Sequence, residues 1–291
     1  MAILGLNRKT TIFMIAFAIA TGLFFGLREG IIQEDDQINI LVMGLDARQG
    51  WQARSDSINV VHINSARNRI GILSIPRDTL VDIPGYGWDK INHAHVFGGP
   101  ELSCLTASRF LNIPIHYYLE INLANFINLI DQIGGVTLDV EKPLYYDDYA
   151  GNLHVHLNSG VQHLKGYEVM GYVRFRHDRA SDWGRIERQH KFISALANQL
   201  LSPSNVWKIP SFLYAASSNI RTNLDALQSL KLGIKISAIY RYGKIDMGVV
   251  PGADALLDKG YYMMSDEDGK RKVIDRVIYG KPTNNSMVLN E

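Results

Sequence analysis

Residues 38–78, INILVMGLDARQGWQARSDSINVVHINSARNRIGILSIPRD, decide the fold. They hold three short apolar runs, at 38–43, 57–64 and 70–75. Runs of this length, rich in Ile and Val, suit buried strands. The polar link 65–69 between the second and third reads as a hairpin turn. Each run ends or begins beside charge: Asp46 after the first, Arg54 and Asp56 before the second, Arg77 and Asp78 after the third. A sheet with chemistry gathered at one end is the pattern these residues describe.

Working outward, a helix is expected from near Pro100 to about Leu111 and a strand over 117–121. Asn122 caps a helix over 123–133, closed by Gly134-Gly135. Residues 136–146 alternate weakly, as strands do. The second half leans helical, with apolar helical spacing over 186–201, further helices at 224–242 and 272–279, and a strand at 245–250. There is no internal repeat. The expectation is an α/β fold: one domain, 38–291, with a central mixed β-sheet covered by helices on both faces.

The N-terminus reads differently. Arg8 and Lys9 precede the uncharged stretch 11–27, TIFMIAFAIATGLFFGL. Its length suits a transmembrane helix, and the preceding charges keep residues 1–10 in the cytoplasm. A cleavable signal peptide is the alternative, with Ala18-Ile19-Ala20 as its cleavage site. The apolar run continues past that site, which favours a retained anchor. Residues 28–37 then form a linker, and the domain is expected outside the cytoplasmic membrane on a single-pass anchor.

Charge excludes one class of partner. Thirty basic and 29 acidic side chains leave a net charge of +1, so no nucleic acid is expected as a ligand. Any anion site must come from local clustering. The single Cys104 excludes an intrachain disulfide and a multi-cysteine zinc site, and its apolar surroundings suit core filler.

Three clusters carry the chemistry. In the first, Asp46 and Asp56 would repel each other if brought together unless a cation lay between them. Mg²⁺ takes one or two carboxylates, waters and phosphate oxygens. Taken alone, the pair reads more simply as turn-capping aspartates. In the second, Arg77 falls on the same sheet end as Asp46 and Asp56, with Lys90 a little further on. A loop salt bridge is the simpler reading of Lys90. The third spans Arg174, Arg176, Asp182, Arg185, Arg188 and Gln189. Arg174 and Arg176 are two apart, so an extended segment would point both guanidinium groups one way. Arg185 and Gln189 are four apart and share a helical face, with Asp182 as the helix cap. Arginine in a first helical turn opposes the helix dipole, and a bound anion reverses that penalty. A surface ion-pair network with Asp178, Asp182 and Glu187 is the competing reading. Four or five guanidinium groups and one hard cation suit a pyrophosphate. His154 and His156 alternate but lack a third ligand in the sequence, which suits a structural pair.

These segments resemble a known family, LytR–CpsA–Psr. ILVMGLDAR with ARSDSI, ILSIPRDT, DKINHAH, GGVTLDV, and YVRFRHD through DWGRIERQ occur in that family's order over about 38–201. The resemblance implies a ligase that moves a glycopolymer from a polyprenyl-pyrophosphate donor to a peptidoglycan sugar hydroxyl, forming a phosphodiester. It implies that Asp46 and Asp56 hold Mg²⁺, with Mn²⁺ as the alternative. Arg54, Arg77, Arg174, Arg176, Arg185 and Gln189 bind the pyrophosphate, with Lys90 and Arg188 as secondary candidates. Asp56 or Asp182 serves as base, beside Arg77, and the polyprenyl tail lies in an apolar tunnel between sheet and helices. Two other functions fit the same residues: a hydrolase of the lipid pyrophosphate, and a non-catalytic polyprenyl-lipid-binding regulator.

Overall fold

The computed structural model describes residues 37–47, 53–149, 153–175, 181–202, 209–257 and 260–282. The expected anchor at 11–27 lies outside these residues. Among the described residues no helix is long and apolar enough to cross a membrane.

The three apolar runs form strands β1 (Gln37–Leu45), β2 (Ser55–Asn64) and β3 (Arg69–Ile75), paired antiparallel. Asn68, in the left-handed region (φ 51°), closes the β2–β3 turn. One further short pair follows immediately, β4 (Leu80–Ile83) with β5 (Gly87–Lys90). Helix α1 (His93–Leu111) begins earlier than Pro100, because a first segment forms before the chain breaks at Gly98 and Gly99. Gly99 takes φ 65°, and Pro100 opens the second segment, where its missing N–H costs nothing.

Strand β6 (Tyr117–Asn122) runs parallel to β1. Asn122 then caps α2 (Leu123–Gln132), its side chain accepting from the Asn125 N–H. The alternating stretch after Gly135 is two strands, β7 (Val136–Val140) and β8 (Leu144–Asp148), with Pro143 unable to continue a ladder between them. β9 (Leu153–Leu157) pairs with β8, and β10 (Gly160–Leu164) with β7. Helices α3 (Gly166–Arg174), α4 (Ser181–Leu201) and α5 (Ile209–Asn219) follow. The short β11 (Arg221–Thr222) leads to α6 (Ala226–Tyr242), and β12 (Lys244–Val249) lies parallel to β3. The hairpin β13 (Gly252–Leu257) and β14 (Gly260–Ser265) and helix α7 (Glu267–Val277) complete the domain.

The central sheet is mixed, in the order β11-β6-β1-β2-β3-β12. Alternation along each strand divides its side chains between two cores. Leu41, Met43, Leu45, Ile58, Val60, Leu73 and Ile75 face α1 and α7. Ile40, Ile63, Ile70 and Ile72 face α6 on the other side. A third core joins β7–β10 to α2, α3 and α4 through Ile130, Val140, Val155, Tyr172 and Phe192. Close approach needs glycine at position 71: a Cβ on Gly71 would lie 2.2 Å from the Val277 carbonyl, so α7 sits directly on β3.

Candidate active site

β1, β3, β6 and β12 share one direction, so their C-terminal ends gather at one end of the sheet together with the start of β2. There Gly44 faces Ser57 while Leu45 faces Ser55. Asp56 is therefore the extra residue of a β-bulge, a device that turns a side chain out of the ladder's regular alternation. Asp46 lies beside it, its N–H bonded to the Arg54 carbonyl at 3.0 Å. The Arg54 side chain is exposed at the same end.

Arg77 follows β3 through Pro76, in a turn held by the Thr79 hydroxyl donating to the Pro76 carbonyl. Its guanidinium donates to Asp56 at 2.6 Å and approaches Asp78 at 3.3 Å. Lys90, on β5, donates to the other Asp78 oxygen at 2.8 Å. Burial pushes the Asp78 carboxyl up, but the Lys90 hydrogen bond and the charges of Arg77 and Lys90 outweigh it and hold it below the usual carboxylate range. Asp78 thus fixes two cations side by side.

Arg174 reaches the same place from α3, its Nη2 lying 3.3 Å from Asp46. The expected extended segment is not what carries it. Arg174 is the last residue of a helix that Phe175 leaves at φ −58°, ψ 131°. The aromatic and β-branched residues there look strand-like. The helix forms because Gly166 lets it close on α2, where a Cβ would lie 2.3 Å from the Ile127 carbonyl. Arg176 lies outside the described residues, as does the side chain of Asp182. Helix α4 starts at Ser181, so Asp182 stands in its first turn and not at its cap.

Arg185 and Gln189 both lie on α4, as their spacing implies. Arg185 is buried, 4% exposed. Gln189 takes part in a directed chain of hydrogen bonds absent from the sequence reading. Asn59 Nδ2 donates to Ser57 Oγ at 3.0 Å, and Ser57 Oγ donates to Gln189 Oε1 at 3.0 Å. Ser74, opposite Asn59 on β3, donates to Asn59 Oδ1 at 2.6 Å. With its one proton so used, Ser74 must accept from His190 Nε2, 2.9 Å away. Burial holds the His190 ring below its usual pKa. The chain fixes the Gln189 carboxamide with its oxygen toward β2. The signal that could have found it is polar Ser57 and Asn59 at alternate positions in an otherwise buried strand.

Arg188 is placed elsewhere. It is 2% exposed, donates to Glu141 at 3.0 Å and to the Phe175 carbonyl at 2.7 Å, and lies over the Phe175 ring. Its guanidinium is thereby engaged with the fold's own groups. His154 and His156 acquire a shared partner across the β8–β9 hairpin, Asp147, at 2.6 and 3.0 Å. Among the described residues no group of three His, Cys, Asp or Glu side chains is arranged to hold a metal ion. Cys104 is half-buried against the core, and burial pushes its thiol up to about 12, far from a nucleophile's range.

Three distant stretches therefore meet: Asp46 with Arg174, Asp56 with Arg77, and Ser57 with Gln189. Each aspartate gives one oxygen to an arginine, and no bond to its second oxygen occurs among the described residues. Two such carboxylates with no third ligand suit a hard cation that completes its shell with water and phosphate oxygens.

Comparison with known proteins finds similar chains. The LytR_cpsA_psr family model matches residues 8–277. Regulatory protein MsrR of Staphylococcus aureus (strain COL) is 38% identical over 67% of this chain, which spans 59% of that protein's length. The polyisoprenyl-teichoic acid–peptidoglycan teichoic acid transferase TagU of Oceanobacillus iheyensis is 34% identical, covering 83% of this chain and 75% of its own. A solved structure of the family protein YwtF (TagT) with bound octaprenyl pyrophosphate lipid superposes with a TM-score of 0.64, at 26% identity, over 85% of this chain and 92% of that one.

Proposed function

Because the chain belongs to the LytR–CpsA–Psr family, we propose that it transfers a glycopolymer from a polyprenyl-pyrophosphate carrier to a peptidoglycan sugar hydroxyl. The observation that carries this reading is the meeting of Arg77, Arg174 and Gln189 with Asp46 and Asp56 at one sheet end. Relatives support it by name: TagU is a teichoic acid transferase, and the YwtF (TagT) structure holds a polyprenyl pyrophosphate.

In the proposed reaction the acceptor oxygen attacks the phosphorus nearer the glycan. The bond from that phosphorus to the bridging oxygen breaks, and polyprenyl monophosphate leaves. The acceptor proton passes to a carboxylate, with Asp56 and Asp182 as the candidates. Such a transfer depends on positioning and on neutralising spread negative charge. Arg77 and Arg174 are held ready for this by the carboxylates they already face, so a diphosphate exchanges partners with groups that are in place. Gln189 has its oxygen tied to Ser57 and one amide hydrogen donated to the Val173 carbonyl at 3.4 Å, so its second N–H is the one that serves the ligand.

Asp46 and Asp56 are the residues that would hold Mg²⁺, which when bound supplies further neutralisation of phosphate charge. The second oxygen of Asp56 serves either the metal or the acceptor proton, so a metal-ligand Asp56 leaves the base role to Asp182. Residues 11–27 are proposed as a single-pass anchor that holds the domain at the outer face of the cytoplasmic membrane, where the carrier's tail resides.

The test uses the full-length protein in detergent with lipid-linked glycan, a wall oligosaccharide and MgCl₂. The expected products are a glycan–oligosaccharide phosphodiester and polyprenyl monophosphate in equal amounts, with turnover lost in chelator. Free glycan phosphate without conjugate would instead identify a hydrolase. Full biological activity in an Arg77→Ala strain would identify a non-catalytic lipid-binding regulator.

A further inference from the structure

The β4–β5 hairpin joins the cationic site through Lys90, and the rest of its outer face, around Trp88, has no role in that site. Val81 and Ile83 point into the core, 2% and 0% exposed. Alternation therefore puts Asp82, Trp88 and Lys90 on the opposite face. Asp82 stands directly across from Trp88, and Leu80 across from Lys90. Trp88 is 67% exposed.

This face is continuous with the site. Lys90 bonds Asp78, Asp78 meets Arg77, and Arg77 meets Asp56. Trp88 lies two residues from Lys90 along one strand, about 7 Å. The hairpin is also fixed at both ends. At its tip Tyr86 stacks on Phe97 with centroids 4.6 Å apart and donates its hydroxyl to the Phe97 carbonyl. At its base Asp89 bonds His93, and Lys90 lies over the Tyr262 ring. A large aromatic on a backbone held this way has only its own side-chain torsions to lose on binding.

We propose that Trp88 and Asp82 form the subsite that receives a pyranose ring of the acceptor glycan strand, and so aim its hydroxyl at the phosphorus between Arg77 and Arg174. This rests on the transferase reading above. The chemistry matches a sugar on both counts. A pyranose offers one apolar C–H face, which stacks on an indole, and a rim of hydroxyls, which donate to a carboxylate at cross-strand distance. A lipid surface matches only the first, because burying Trp88 in a bilayer would carry Asp82 into an apolar medium. The face is open and shallow, as a long wall strand approaching from outside requires. The donor is gripped from the other flank, by Arg174 and Gln189 on α3 and α4.

The experiment uses full-length protein in detergent and a defined GlcNAc–MurNAc tetrasaccharide as probe. Trp88→Ala is expected to raise the acceptor KM and the tetrasaccharide Kd at least tenfold, with lipid-linked donor Kd within twofold of the parent. Trp88→Phe, which keeps a stacking face, is expected within threefold of the parent. Asp82→Lys, a second and independent change, is expected to weaken acceptor alone. An unchanged acceptor KM in Trp88→Ala and Asp82→Lys overturns the proposal. So does an equal loss of donor affinity, which would make the face a donor subsite, or loss of binding to phosphatidylglycerol vesicles in place of glycan. Tetrasaccharide binding that depends on Trp88 in a protein that forms no conjugate would preserve the subsite and reject the transferase reading instead.

Discussion

Replacing Arg188 by Met separates a structural arginine from a ligand-binding one. The change keeps the apolar stem and deletes the guanidinium. The bonds lost include those to Glu141 at 3.0 Å and to the Phe175 carbonyl at 2.7 Å. Each is a hydrogen bond from a charged donor, of the kind that contributes about 1.5–3 kcal/mol. Breaking a buried pair by removing one partner costs about 3–5 kcal/mol when the other is left stranded. Here Glu141 is not fully stranded: its side chain is 28% exposed, Tyr172 donates to it at 3.0 Å, and Lys191 lies 3.6 Å away. The expectation is therefore the low end, about 3 kcal/mol. For a domain of this size that is a fall in Tm of about 6–12 °C. Differential scanning calorimetry measures it, alongside pyrophosphate-donor affinity at a temperature where both proteins are folded.

The pH dependence adds a check. Burial pushes the Glu141 carboxyl up, but its backbone hydrogen bond, Arg188, Tyr172 and Lys191 together hold it below the usual range. A carboxyl depressed in the folded state contributes stability above its unfolded pKa and loses it as pH falls through the folded one. The Tm gap between parent and Arg188→Met should thus be full at neutral pH and narrow in acid. A variant with parental Tm and donor affinity weakened tenfold or more would refute this account and put Arg188 back among the phosphate ligands.

Other perturbations have equally definite outcomes. His62 is buried, and burial, with the charges of Arg69 and His116, lowers its pKa to about 4. Its unfolded value is near 6.5, so the unfolded chain binds more protons between these limits, and stability falls by roughly 3 kcal/mol as pH drops from 6.5 to 4. His62→Gln should flatten that slope in urea melts, and an unchanged slope would assign it to other groups. Gly71→Ala places a methyl against the Val277 carbonyl, a backbone atom that cannot swing aside, and should cost about 1–3 kcal/mol or more of stability. A variant as stable as the parent would show that α7 can lift from β3. Ser57→Ala frees the Gln189 oxygen and should lower kcat more than it raises donor KM, whereas equal effects on both would mean that Gln189 orientation matters only for binding. Arg77→Ala removes a positioned cation and should lower turnover by about 10²–10³-fold, and a loss below tenfold would exclude a direct part in the transition state.

Sequence periodicity was enough for the sheet. The β1–β2–β3 meander, the Asn122 cap and the helices at 181–201 and 226–242 are written in local patterns, because an apolar period of two or of 3.6 reports which face is buried, whereas α5 (Ile209–Asn219) carried no such signal. It was also enough to gather Asp46, Asp56 and Arg77, since consecutive strands of one meander must return to the same end. It did not reach α3. Gly166, Tyr172 and Val173 gain helical packing only when α2 and β9 lie beneath them, and that is information about neighbours far along the chain. The same holds for single side chains. Arg185, Arg188 and Gln189 share one short stretch and look alike on paper, yet Glu141 and Phe175 claim Arg188 while Ser57 claims Gln189. The sequence by itself determined where polar and apolar surface alternates, and hence the sheet and the end of it where charge collects. Only the tertiary structure decided which charges are consumed in holding the fold together and which are left for a ligand. A side chain's partner is set by distances across the chain, and no local pattern encodes them.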